Sequence, residues 1–243
     1  MDIKEKIFDF AYEMAMRDAT LRTAVLRKTE NNKNESEEEN KEKDTSKIKA
    51  LSGCTDAKKI VKDYIDCFIY GKDIPCFFRV ESKVETILNN YVNSQHWYDK
   101  AEFTFGNAQK LINMTAKYMF ISCYHEDSLR KNFRECHCPM DNIIIETIKI
   151  DAHNTFRDKL TGIITQIITQ SNKIIEQFRL GVPIPVEKSK RWKGYLNNNE
   201  GWSMIKTGDI GRYVFFQELV KALGDTKEKC LSPLEYDLCY WGR

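Results

Sequence analysis

Three observations predict a mainly α protein, folded as a single helical domain over residues 1–243 with at most a minor β element. Apolar residues recur at three-, four- and seven-residue spacings through most of the chain. Stop and start residues fall between those stretches: Gly71, Gly181, Gly224 and the run Ser232-Pro-Leu-Glu235. No internal repeat and no strand-helix-strand rhythm is visible, which disfavours a doubly wound sheet. A hydrophobic content of 42% with 30% charged residues suits a chain that buries a sizeable core.

The elements follow in order. Ile3, Ile7, Phe10, Met14, Leu21 and Val25 share one stripe, which predicts a long amphipathic helix from about Asp2 to Lys28 with that stripe buried. Residues 29–50 carry a polar, acidic run that offers almost nothing to bury, so a flexible, disordered loop is expected there. Thr55 should cap a second helix ending at Gly71, and Val84, Ile87, Leu88, Tyr91 and Val92 mark a third from about Ser82. Pro75 to Val80 fits a short strand or the lead-in to that helix.

From Phe105 to Cys123 the spacing puts Phe105, Ala108, Leu111, Ile112, Thr115, Tyr118 and Met119 on a buried side. Gly106, Gln109, Lys110, Asn113 and Lys117 fall in an arc of roughly 100° on the other side and form one polar stripe. Pro139 suits the start of the next element, where the run Ile143-Ile-Ile fits helix or strand. A helix from Leu160 to Phe178, another from about Asp209 to Leu223, and a last one opened by a capping box at Ser232 and Glu235 complete the chain.

The net charge of +2 is unevenly spread. Residues Glu30 to Asp44 hold seven acids against three lysines, a local −4, which leaves +6 for the remainder. Such a mildly basic body permits an anionic partner. The N-terminus lacks an apolar signal core, and no stretch reaches the roughly 20 apolar residues that span a bilayer. The expected location is cytoplasmic, with reduced cysteines and no membrane partner. A homodimer is left open.

Chemistry-bearing residues concentrate between Cys123 and Asp141, and four readings arise. Surface positive charge is the first: Lys110 and Lys117 on the polar stripe, with Lys190, Arg191 and Trp192 in the basic segment, would meet phosphate and stack a base. Gln109 and Asn113, one turn apart, would hydrogen-bond the same ligand. The partner so implied is nucleic acid, RNA ahead of DNA, or another phosphate-bearing ligand. A protein-interaction module without catalysis, docking a protein partner, is the alternative.

Enzyme chemistry is the second reading. The spacing Arg130-x₆-His137 resembles the Arg-x₄₋₆-His pattern of the helical HEPN ribonucleases, over these eight residues only. The resemblance implies metal-independent RNA cleavage, with His137 moving protons and Arg130 or Arg134 stabilising charge on phosphate. Asp141 would orient His137. No cofactor is needed in that scheme. Third, Cys123, His125, Cys136 and Cys138 supply ligands enough for a structural zinc, at a spacing unlike the usual Cys-x₂₋₄-Cys. Fourth, Asp73 with Glu81-Ser-Lys83 resembles the acid and Glu-x-Lys of metal-dependent nucleases, which need a supporting sheet. Phosphate-loop, dinucleotide-binding and common hydrolase motifs are missing.

Overall fold

The computed structural model describes residues 3–20, 37–95, 102–123, 126–187, 210–227 and 231–240. It is mainly helical, with about 1% strand. The chain divides into two compact units, Met1–Asn132 and Phe133–Arg243.

The first unit holds α1 (Ile3–Thr20), α2 (Glu37–Ser52), α3 (Thr55–Ile69), α4 (Phe77–Ser94), α5 (Phe105–Ser122) and the short α6 (Asp127–Asn132). Its centre is α5, which packs on α1, α3 and α4. A helix so placed is buried nearly all round, polar positions included. Thr104 and Asn107 close its first turn reciprocally: Asn107 N–H donates to Thr104 Oγ1 and Thr104 N–H to Asn107 Oδ1. The Asn107 amide also donates to the Ala19 carbonyl at 2.7 Å, tying α5 to the last turn of α1.

The face that α1 buries is not the expected one. Phe8, Ala11, Tyr12, Ala15, Met16 and Ala19 are buried, whereas Ile3 is 72% and Phe10 64% exposed. The cause is steric: Ala11, Ala15 and Ala19, four residues apart, make a flat row that seats closely against α5. Larger side chains on that row would hold the helices apart. Leu21 and Val25 lie outside the described residues.

Of the flexible loop expected over residues 29–50, the part from Glu37 onward is corrected, because α2 occupies Glu37–Ser52; residues 29–36 lie outside the described residues. Glu and Lys are good helix formers, and Ile48 and Leu51, both buried, anchor the element. Pro75 to Val80 proves to be the entry to α4, with Pro75 and Cys76 leading in and Phe77–Val80 forming its first turn. Gly71 ends the preceding turn with φ +60°, a conformation that favours glycine.

The second unit comprises a 3₁₀ turn (Phe133–Glu135), α7 (Asn142–Phe156), a second 3₁₀ turn (Arg157–Lys159), α8 (Leu160–Phe178), α9 (Gly211–Asp225) and α10 (Pro233–Tyr240). The open question at Ile143-Ile-Ile resolves as helix. Asp141 caps it, its Oδ1 accepting from the Ile143 and Ile144 N–H groups at 3.0 and 2.9 Å. Helix α9 packs on α7, α8 and α10. The expected capping box of α10 is present: Ser232 N–H donates to Glu235 Oε2, and Glu235 N–H to Ser232 Oγ.

Gly224, expected as a helix stop, lies inside the last turn of α9. A Cβ there would come within 2.2 Å of the Leu231 carbonyl oxygen, so the chain returning to α10 needs a glycine beneath it.

Candidate functional site

Gln109, Asn113 and Lys117 do share one stripe of α5, but that stripe is buried, at 0%, 1% and 2% exposure. The Gln109 amide donates to the Gly106 carbonyl at 3.1 Å, and Asn113 Nδ2 donates to Gln109 Oε1 at 3.2 Å. These groups satisfy one another inside the helix, as buried polar groups must. Only Lys110, half-buried, retains part of the expected exposure. Lys190, Arg191 and Trp192 lie outside the described residues, and so does His125.

His137 sits on an extended turn between the first 3₁₀ turn and α7, held from α9. Gln217 clamps the turn by its backbone: Cys138 N–H donates to Gln217 Oε1 at 2.9 Å, and Gln217 Nε2 donates to the Cys138 carbonyl at 2.7 Å. One turn earlier on α9, the Tyr213 hydroxyl shares a 2.9 Å hydrogen bond with His137 Nδ1. Burial of the ring, then the charge of Lys221, pushes the His137 pKa down to about 3. The imidazole is therefore neutral near pH 7 and a weak base there, since general catalysis favours a pKa near the working pH.

The other residues of the expected catalytic set have separate tasks. Asp141 is spent on the cap of α7 rather than on His137. Arg134 is exposed, and Arg130 pairs with Asp127 at 3.4 Å within α6. Arg130 belongs to the first unit and His137 to the second.

For zinc, Cys136 and Cys138 are buried free thiols, and burial pushes the Cys136 thiol well above its ordinary value. Among the described residues no three His, Cys, Asp or Glu side chains form a metal-sized cluster. Among the described residues the Asp73, Glu81 and Lys83 set finds no supporting sheet: Glu81 and Lys83 lie two apart on α4, one buried and the other exposed.

A concave feature that the sequence reading did not anticipate lies in the first unit. Phe10, Glu13, Met14 and Arg17 of α1 and Asp44, Thr45, Ile48 and Lys49 of α2 line a groove of about 450 Å³. Phe10, Met14 and Ile48 supply its apolar part. Four charges frame it, two of each sign, and among the described residues none of Glu13, Arg17, Asp44 and Lys49 enters an ion pair. Comparison with protein-family models, curated proteins and solved structures finds no match. The signal for the groove was present in the spacing of Phe10, Glu13, Met14 and Arg17, which places apolar and charged side chains on one face of α1. Among the described residues no helix is long and apolar enough to cross a membrane.

Proposed function

We propose that the protein is a helical interaction module that receives an apolar stripe of a partner protein in the groove between α1 and α2. One observation carries this reading: Phe10 and Met14, which belong to the apolar stripe of α1 that ought to enter the core, instead line a groove large enough for two or three side chains, Phe10 exposed and Met14 half-buried. Its frame fits a polypeptide. A partner helix carrying both signs of charge can meet Arg17 and Lys49 with carboxylates, and Glu13 and Asp44 with cations. A phosphate backbone would gain from the first two and be repelled by the second two, which argues for protein over nucleic acid at this groove.

The experiment is a selection of helical peptides from a random amphipathic library on the immobilised full chain, followed by photo-cross-linking of the bound peptides. Adducts on α1 and α2 are expected. Binders that cross-link only elsewhere, or no binders above background, would refute the reading.

A further inference from the structure

The outward face of α1 has the spacing of a helix that pairs with another helix. Ile3, Ile7, Phe10 and Met14 follow one another at intervals of four, three and four residues, the alternation of a coiled-coil seam. None of them enters the core: Ile3 and Phe10 are exposed, and Ile7 and Met14 half-buried. The C-terminal half of this seam, Phe10 and Met14, is also the α1 wall of the groove that α2 closes with Asp44, Thr45, Ile48 and Lys49. Seam and groove are therefore one continuous surface.

Charge on the open edge of the seam selects what covers it. Lys6 and Glu13, one heptad apart, flank it on one side, both exposed, and among the described residues neither enters an ion pair. The other edge is closed, because Ala11 is buried and Asp18 accepts from the Tyr118 hydroxyl of α5. A second copy of α1 laid antiparallel, with Phe10 beside the other Ile7 and Met14 beside the other Ile3, sets Lys6 opposite Glu13 of the second copy and Glu13 opposite its Lys6. Both contacts attract. A parallel pair would bring Glu13 toward Asp18 of the second copy, and an antiparallel pair shifted by one heptad would set Glu13 against Glu13. Both of those repel. The favoured arrangement has the two-fold symmetry of most homodimers, each copy giving and receiving the same contacts.

We propose that two copies of this chain associate through α1, antiparallel, so that the seam of each fills the α1–α2 groove of the other. Ile3, 72% exposed in one copy, then lies against Met14 and Ile48 in the groove of the second. This rests on the reading of the groove as a protein-binding surface and names the protein that fills it. One helix seam with one groove wall is a small interface, so the dimer exchanges with monomer.

The test is sedimentation velocity of the full chain over a wide concentration series, where a reversible monomer–dimer equilibrium is expected. Lys6→Glu and Glu13→Lys change exposed side chains and should keep the fold, checked by circular dichroism, while each weakens self-association at least about tenfold. An equimolar mixture of the two single variants should regain the dimer, because every Glu then faces a Lys, and the double variant Lys6→Glu with Glu13→Lys should regain it on its own. A fold effect would not be repaired by mixing. A chain that stays monomeric throughout, a dimer indifferent to both single reversals, or no recovery in the mixture would overturn the proposal. Capture of helical peptides at α1 and α2 is read separately, so a failure here is distinguishable from a failure of the broader reading.

Discussion

Gln217 shows how much one side chain can hold in place. Its amide engages both backbone polar groups of Cys138, and the sequence offered no sign of this because the partners lie 79 residues apart. Gln217→Ala should leave a buried N–H and C=O unsatisfied and cost about 1–3 kcal/mol for each group, read as a lower denaturant midpoint. Gly224→Ala should cost about 1–3 kcal/mol through overlap with the Leu231 backbone, although glycine-to-alanine changes within helices usually stabilise. Asp151 binds three donors on one oxygen: Lys227 Nζ and the Tyr236 and Tyr240 hydroxyls, each at 2.9 Å. Burial alone would raise its pKa, but these donors hold it below its ordinary value. Asp151→Asn should therefore loosen α10, with faster amide exchange over Pro233–Tyr240. At this scale the capping pair Ser232 and Glu235 was legible, since it acts within one turn, but Thr55, expected as a cap, is the first residue of α3, whose N-cap Cys54 makes no side-chain cap bond. Contacts between distant residues were not legible.

Among the elements, α5 and α1 mark where periodicity informs and where it misleads. The apolar side of α5 was read correctly, but a helix at the centre of a bundle is covered on its polar side too, and nothing local in the sequence announces that position. For α1 the error was one of choice between two faces. Bulky apolar residues at Ile3, Phe10 and Met14 outweighed the alanine row on hydrophobicity, yet the alanine row wins because it allows close approach to α5. Phe10→Asp should hence be nearly neutral for folding, within about 0.5 kcal/mol, as exposed sites usually are. Ala15→Leu on the buried row should destabilise by about 1–3 kcal/mol through overpacking. A comparison of the two melting curves checks both. Helix α2 escaped prediction because its anchor is only Ile48 and Leu51, at one end of a highly charged run.

For the molecule as a whole, three groups set opposing limits on pH stability. Burial and then Glu85 raise the folded pKa of Glu81 from 4.5 to about 10, so the stability linked to its proton is complete below about pH 4.5 and is lost as pH rises toward 10. His137 is lowered from 6.5 to about 3, so the unfolded chain takes up its proton first and stability falls as pH drops below about 6.5. Asp151, held below its ordinary 3.8, adds to that loss at the acid end. The maximum should lie between about pH 4.5 and 6.5, and Glu81→Gln should flatten the alkaline limb while leaving the acid limb in place; chemical denaturation across pH 3–10 measures this. Fold class was legible at this scale because it rests on periodicity. The groove was legible only as a spacing on α1, since which face of α1 and of α5 is covered is decided by the assembled helices rather than by either helix alone.

The most direct measurement is fluorescence anisotropy of labelled groove-binding peptides, and of labelled single-stranded RNA, on the intact chain and on Phe10→Asp at equal fold stability. Peptide affinity that falls at least about tenfold in the variant, with RNA binding weak and the same for both proteins, is the predicted result. Peptide affinity untouched by Phe10→Asp, together with RNA binding that weakens steeply with salt, would contradict the interaction-module account and return the search to phosphate ligands.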